Sequence, residues 1–287
     1  MIAHVAEASE ASGRVLLWLE PDQIAMPETA KAAVSIARAY AADIETLVLD
    51  APSAGDATGV PVAHRSLLGK AARPSPAGND FADQRDHLEA RQLRDVHEIA
   101  SDAGVRLSHA RARGDAIDRL AELCLSRGPW NIIAVSRPPS PELPGLISSI
   151  LANVSGATGV VVAGRTGAAL SKDVAVILED SDRMPSMLRA AERLLPTQGR
   201  IQIFIAADSV ALHDEIDGQA RLLTAGNDRF VHYPASTSFG ISGAFDCELF
   251  RLKPSFIIAR FGGVLLGQSR ALTRLLSLTP APILLVR

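Results

Sequence analysis

The chain has 287 residues, 47% of them hydrophobic and 21% charged, with a formal charge of −3. That is the composition of a folded chain long enough for two ordinary domains, and no basic run marks it for nucleic acid or an anionic membrane surface. No apolar stretch approaches the roughly eighteen residues of a membrane span, and MIAHVAEASEASGR lacks a basic region followed by an apolar run, so no membrane association and a cytoplasmic location are expected.

RVLLWLE, Arg14 to Glu20, is an apolar run of strand length. PETAKAAVSIARAYAA follows as an amphipathic helix with Pro27 in its first turn, and IETLVLD is a second strand. From Ala51 to about Asn79 the chain is rich in Ala, Pro, Gly and Ser without a sustained period, which predicts a long loop. DQRDHLEARQLRDVHEIASDAG reads as a charged helix with a solvated face, and VRLSHAR as a third strand. After Gly114 comes the helix DAIDRLAELCLSRG, for which Asp115 supplies an N-cap. NIIAVSR, LISSILANVSG and GVVVAG complete a strand, a helix and a strand. Alternation of this kind predicts a parallel sheet covered on both faces.

The order then begins again. DVAVILEDSD matches RVLLWLEPDQ, PSMLRAAERLL matches the first helix, and RIQIFIAADS matches DIETLVLDAPS. RFVHYPA matches RLSHARA at an offset of 123, from Arg229 minus Arg106 and equally from His232 minus His109. SFIIARF matches WNIIAVS, and APILLVR matches TGVVVAG. Val15 and Val174 lie 159 apart, so about 36 residues are inserted in the first copy, most of them in the loop from Ala51 to Asn79. This is a tandem duplication of one α/β unit, with domains expected at 1–168 and 169–287.

This pattern resembles the universal stress protein family, most clearly in ASDAGVRLSHARARGDAIDRLAELCLSRGPWNIIAVSR. The resemblance implies two doubly wound five-stranded parallel sheets of strand order 3-2-1-4-5, packed together as a pseudo-dimer. It also implies a nucleotide site in members that carry Gly-x-x-Gly, nine residues and Gly-Ser or Gly-Thr after the fourth strand, with an aspartate after the first. Glycines at that spacing let backbone N–H groups wrap phosphates at a helix start.

In the first copy the corresponding stretch is SRPPSPELPGLISS, where prolines stand in place of the glycines and offer no N–H; only Ser148 and Ser149 match the closing Gly-Ser. Glu20 and Pro21 follow the first strand instead of an aspartate. The second copy keeps more. Asp180 and Ser181 follow its first strand, and FGGVLLGQS offers Gly262, Gly263, Gly267, Gln268 and Ser269 around a helix start, with Arg260 or Arg270 nearby. Its loop is short, with only Val264, Leu265 and Leu266 between Gly263 and Gly267. A remnant cradle for ATP or AMP at Gly267 to Ser269 is one account; the other is a plain turn at Gly262 and Gly263, with Gly267 permitting close packing.

His109 and His232 occupy equivalent strand positions, which the family layout implies are near the ligand cleft or the domain interface. Cys124 and Cys247 lie in helix-like apolar patterns and read as small buried residues. No metal spacing, P-loop or nucleophile motif occurs, so no enzyme is expected. Two functions follow. One is a stress-related regulatory protein whose C-terminal half binds ATP or AMP weakly at most; the other is an interaction protein that has lost nucleotide binding and acts through protein partners. A homodimer is compatible with either.

Overall fold

The computed structural model describes residues 13–19, 27–50, 77–126, 128, 130–163, 170–234, 244–267 and 271–287. Chain order in the first half is β1 (Arg14–Leu19), α1 (Pro27–Ala39), β2 (Asp43–Asp50), α2 (Ala77–Asp102), β3 (Leu107–Arg113), α3 (Ala116–Ser126), β4 (Asn131–Val135), α4 (Leu143–Asn153) and β5 (Ala157–Val162). The second half gives β6 (Val174–Leu178), α5 (Met184–Leu194), β7 (Ile201–Ile205), α6 (Val210–Leu223), β8 (Phe230–His232), α7 (Ala244–Leu252), β9 (Phe256–Arg260), α8 (Val264–Gly267), α9 (Ala271–Leu278) and β10 (Ile283–Val286).

Central strands β4, β6 and β7 are buried along their whole length, which is why they read as unbroken apolar runs. Local signals set several helix starts. Asp115 accepts from the N–H groups of Ile117 (2.9 Å) and Asp118 (3.1 Å), and Ser209 accepts from Leu212 N–H to cap α6. The predicted loop lies mostly outside the described residues; α2 begins at Ala77, inside the stretch read as loop, because Ala77 and its polar followers carry no apolar period to announce a helix.

The strands form one ten-stranded sheet in the order β3-β2-β1-β4-β5-β10-β9-β6-β7-β8. Each half keeps the expected order 3-2-1-4-5, all parallel within the half. The halves are not two separate sheets: they fuse edge to edge through the closing strands, β5 antiparallel to β10. Val161 pairs with Leu284 there. The two are 123 positions apart, so each faces its own counterpart and the pair marks an internal pseudo-two-fold axis. Fusion covers both apolar edges, which would otherwise offer unpaired backbone to other chains.

Helices α1, α2, α5 and α6 cover one face of the sheet, where their apolar residues pack with Val15, Leu17, Val176 and Ile203. On the other face α3, α4, α7, α8 and α9 pack with Leu16, Ile133, Ile177 and Phe204. Contacts α1 to α5 and α4 to α9 cross between the halves, as does the Arg193 guanidinium, 4.8 Å from the Tyr40 ring centre. Arg287, after β10, donates to the carbonyls of Leu151, Val154, Ser155 and Ala157 around the C-terminus of α4. Cys124 is buried as expected, and desolvation pushes its thiol up to about 12. Cys247 is exposed, because the buried face of α7 is set by Phe245 and Leu249 four residues apart, and position 247 falls on the opposite side.

Candidate functional site

In an open parallel sheet, ligands sit beyond the carboxyl ends of the strands, where the strand order reverses. In the second half that place lies between β6 and β9. Glu179 and Asp180 leave β6 there, and the turn Phe261–Gly263 leaves β9. Gly262 holds φ at +80°, the left-handed region that suits glycine. Gly263 N–H returns to Arg260 O, and the helical turn α8 begins at Val264.

The group held at this turn is the chain's own Glu179. Its Oε2 accepts from Val264 N–H at 2.9 Å, and a β-carbon on Gly263 would fall 2.1 Å from its Oε1. A side chain at 263 would therefore displace the end of the Glu179 side chain from this position. Oε1 is buried and has no hydrogen-bond partner among the described residues. Burial pushes the Glu179 carboxyl above its ordinary range and nearby Asp180 adds to this, while the Val264 N–H bond and Arg260 act in the opposite direction. Asp180 pairs with the Arg260 guanidinium through Oδ2 and accepts from Asp182 N–H at 3.1 Å through Oδ1.

Of the residues singled out in the sequence, Asp180, Gly262 and Gly263 come together around this turn, and Ser181 is exposed beside them. Gly267 departs from both expectations. Its N–H is bonded to Gly263 O at 2.9 Å, and a β-carbon there would meet nothing within 4 Å, so it neither starts the helix nor permits close packing. A short helical turn, α8, begins at Val264, and the helix expected to start near Gln268 is described from Ala271 as α9; Gln268, Ser269 and Arg270 lie outside the described residues. Leu265 is fully buried among the core side chains. Glu179 was the residue to add, and its one signal was an acidic pair, Glu179–Asp180, at a strand end where a single aspartate was expected.

The first half has no comparable turn among the described residues. Pro144 stands in the first turn of α4, and Glu142 precedes it without a side-chain cap bond. Ser148 lies inside α4, bonded to Pro144 O, and Ser149 O accepts from Asn153, so neither serine is at the helix start. Glu20 and Pro21 fall outside the described residues. The histidines are far from the join: His109 is on β3 and His232 on β8, the two outermost strands. Their equivalence holds in register, His109 opposite Thr46 and His232 opposite Ile203. Among the described residues no group of three or more His, Cys, Asp or Glu is placed to hold a metal ion, and no helix is long and apolar enough to cross a membrane.

Neither the protein-family models nor the curated proteins give a match. Solved structures do. A universal stress protein from Archaeoglobus fulgidus aligns over 97% of this chain and 97% of its own, with a TM-score of 0.63 at 12% identity. The chain has the tandem universal stress protein fold. A functionally unknown protein from Pseudomonas aeruginosa shares it over 95% of this chain and 92% of its own, with a TM-score of 0.51 at 15% identity. A universal stress protein family protein from Arabidopsis thaliana with AMP bound aligns over 52% of this chain and 90% of its own, with a TM-score of 0.33 at 14% identity. The tandem stress-protein fold positions the Glu179 turn at the switch point of the second half and leaves its chemistry to the local residues.

Proposed function

We propose that this chain is a stress-related regulatory binding protein, cytoplasmic and without catalysis of its own, that acts through protein partners and takes ATP or AMP weakly at most in its C-terminal half. The observation that carries the reading is the Glu179 carboxylate bonded to Val264 N–H against Gly263. A phosphate approaching that backbone would meet a like charge in a partly buried site, and like charges a few ångströms apart repel by several kcal/mol where the dielectric is low. The Arg260 guanidinium, on the strand that leads into the turn, is already engaged by Asp180.

A second reading has its own support. Oε1 of Glu179 lacks a hydrogen-bond partner among the described residues and burial disfavours its charge, both of which favour displacement of this carboxylate from the turn. The C-terminal half would then be an anion site closed by its own side chain. Calorimetry with ATP, ADP and AMP separates the two. The first reading expects at most weak heat at millimolar nucleotide from the wild-type chain, unchanged in Glu179→Ser. Binding that appears only in Glu179→Ser favours the second, and tight binding by the wild-type chain overturns both.

A further inference from the structure

At the end of the first half the sheet finishes in β3, which is seven residues long; at the other end it finishes in β8, which has three. Ile44 N–H bonds to Arg106 O, so in this parallel ladder Arg106, Ser108, Ala110 and Ala112 turn their backbone groups toward β2, and Leu107, His109, Arg111 and Arg113 turn theirs outward. The outward N–H and C=O groups of Leu107 and His109 have no partner among the described residues. Arg113 O, at the far end of the row, accepts from Arg119 Nε at 2.9 Å. Side chains alternate between the faces of the sheet. His109 and Arg111 stand on the side of α2, and Ala110 and Ala112 on the side of α3, where the two alanines pack against the core of that face.

Between β3 and α2 lies a concavity of about 460 Å³, lined by His109 and by Arg94, His97, Glu98 and Asp102 of α2. Helix and strand run antiparallel, from the Val105 N–H bond to Ala100 O at one end to the Glu89–Arg111 pair at the other. Glu98 and Asp102 therefore stand beside the start of β3, and Arg94, which makes no ion pair among the described residues, stands further along. From Gly104 to Gly114 the chain reads GVRLSHARARG, three arginines and a histidine with no acidic residue. Arg106 is paired with Asp43 and Arg111 with Glu89, yet their side chains stay 84% and 56% exposed, so both still present charge along the edge.

We propose that β3 receives an added strand from a protein partner, an extended acidic segment whose carboxylates alternate with apolar side chains. The inference rests on the reading above that the chain acts through protein partners, and it names the surface. Backbone groups of the added strand complete the row at Leu107 and His109. Carboxylates on its α2 side meet Arg94 and the basic side chains of β3, and apolar side chains on its other side cover Ala110 and Ala112. A second copy of this chain fits the edge worse, because antiparallel pairing about Ala110 sets His109 against Arg111 and lays the basic row on itself. The apolar closing strands β5 and β10, by contrast, already occupy each other.

Amide hydrogen exchange on the full chain tests the proposal, with a peptide of about eight residues alternating glutamate and valine as the probe. At saturating peptide, protection of the Leu107 and His109 amides should rise about tenfold, the equivalent of one hydrogen bond gained at each. The Ser108 and Ala110 amides, already turned to β2, should change little. His109→Pro, which removes an outward N–H and leaves the β2 ladder intact, should abolish binding, and His109→Ala should retain it. Arg94→Glu, at an exposed helix position, should weaken binding about tenfold, with the difference shrinking at high salt. Equal binding by the lysine–valine counterpart, binding that leaves Leu107 and His109 unprotected, or protection of those amides that rises with protein concentration alone overturns the proposal. So does absence of binding, an outcome separate from the nucleotide calorimetry that judges the functional reading.

Discussion

The carboxylate of Glu179 and the α-carbon of Gly263 share one space: a side chain at 263 would begin 2.1 Å from the Glu179 oxygen. A turn that could face a ligand faces instead an anion from the neighbouring strand. Gly263→Ala should therefore push the carboxylate off Val264 N–H and cost about 1–2 kcal/mol of unfolding free energy. Adding Glu179→Ala should recover most of that loss, a coupling that a double-mutant cycle in urea measures directly.

Glu179→Gln should stabilise the chain at neutral pH by roughly half a kcal/mol, allowing for partial solvent screening. The sign follows from linkage. Burial raises the folded-state value above the unfolded one, so the ionised form detracts from stability above the folded value, and the penalty disappears as pH falls below the unfolded value. Melting curves of the two proteins should differ at neutral pH and converge in acid.

Asp217 behaves in the opposite sense. Its carboxyl is held low because the Arg221 and His232 bonds outweigh the upward push of burial, so its contribution is present above the unfolded value and is lost as pH falls through the folded one. Asp217→Asn should flatten the acid limb of the stability profile, followed by urea midpoints at successive pH values. An unchanged acid limb would count against this assignment.

Arg287→Ala should cost about 1–2 kcal/mol, because the guanidinium donates to four carbonyls around the end of α4 that have few other donors. Arg287→Lys should recover only part, since an ammonium lacks the planar fork. Because the contact joins the two halves, the loss should appear as a broader urea transition as well as a lower midpoint.

How much of this was legible in the sequence depends on the range of the interaction. Strands such as Val174–Leu178 and Ile201–Ile205 announce themselves because burial on both faces leaves no polar position, and the 123-residue offset locates the copies. A paired arrangement of the halves was implied by the family resemblance, but their fusion through GVVV and ILLV into one sheet depends on antiparallel register that no local pattern encodes. At the turn, Gly262 was readable from its need for positive φ. Glu179 was not: its hydrogen bond to Val264 spans 85 positions, and nothing local distinguishes a carboxylate that folds back onto the backbone from one that faces solvent. Gly267 misled for the converse reason, since a further glycine four positions after Gly263 suggests a cradle whether or not anything approaches it.

The antiparallel pairing of Val161 with Leu284 also fixes which way each half looks. Strands of the first half run toward one edge of the sheet and those of the second toward the other, so the carboxyl-end crevices open in opposite directions. The two crevices therefore lie back to back, joined by the ten-stranded sheet and by the helix contacts that cross between the repeats.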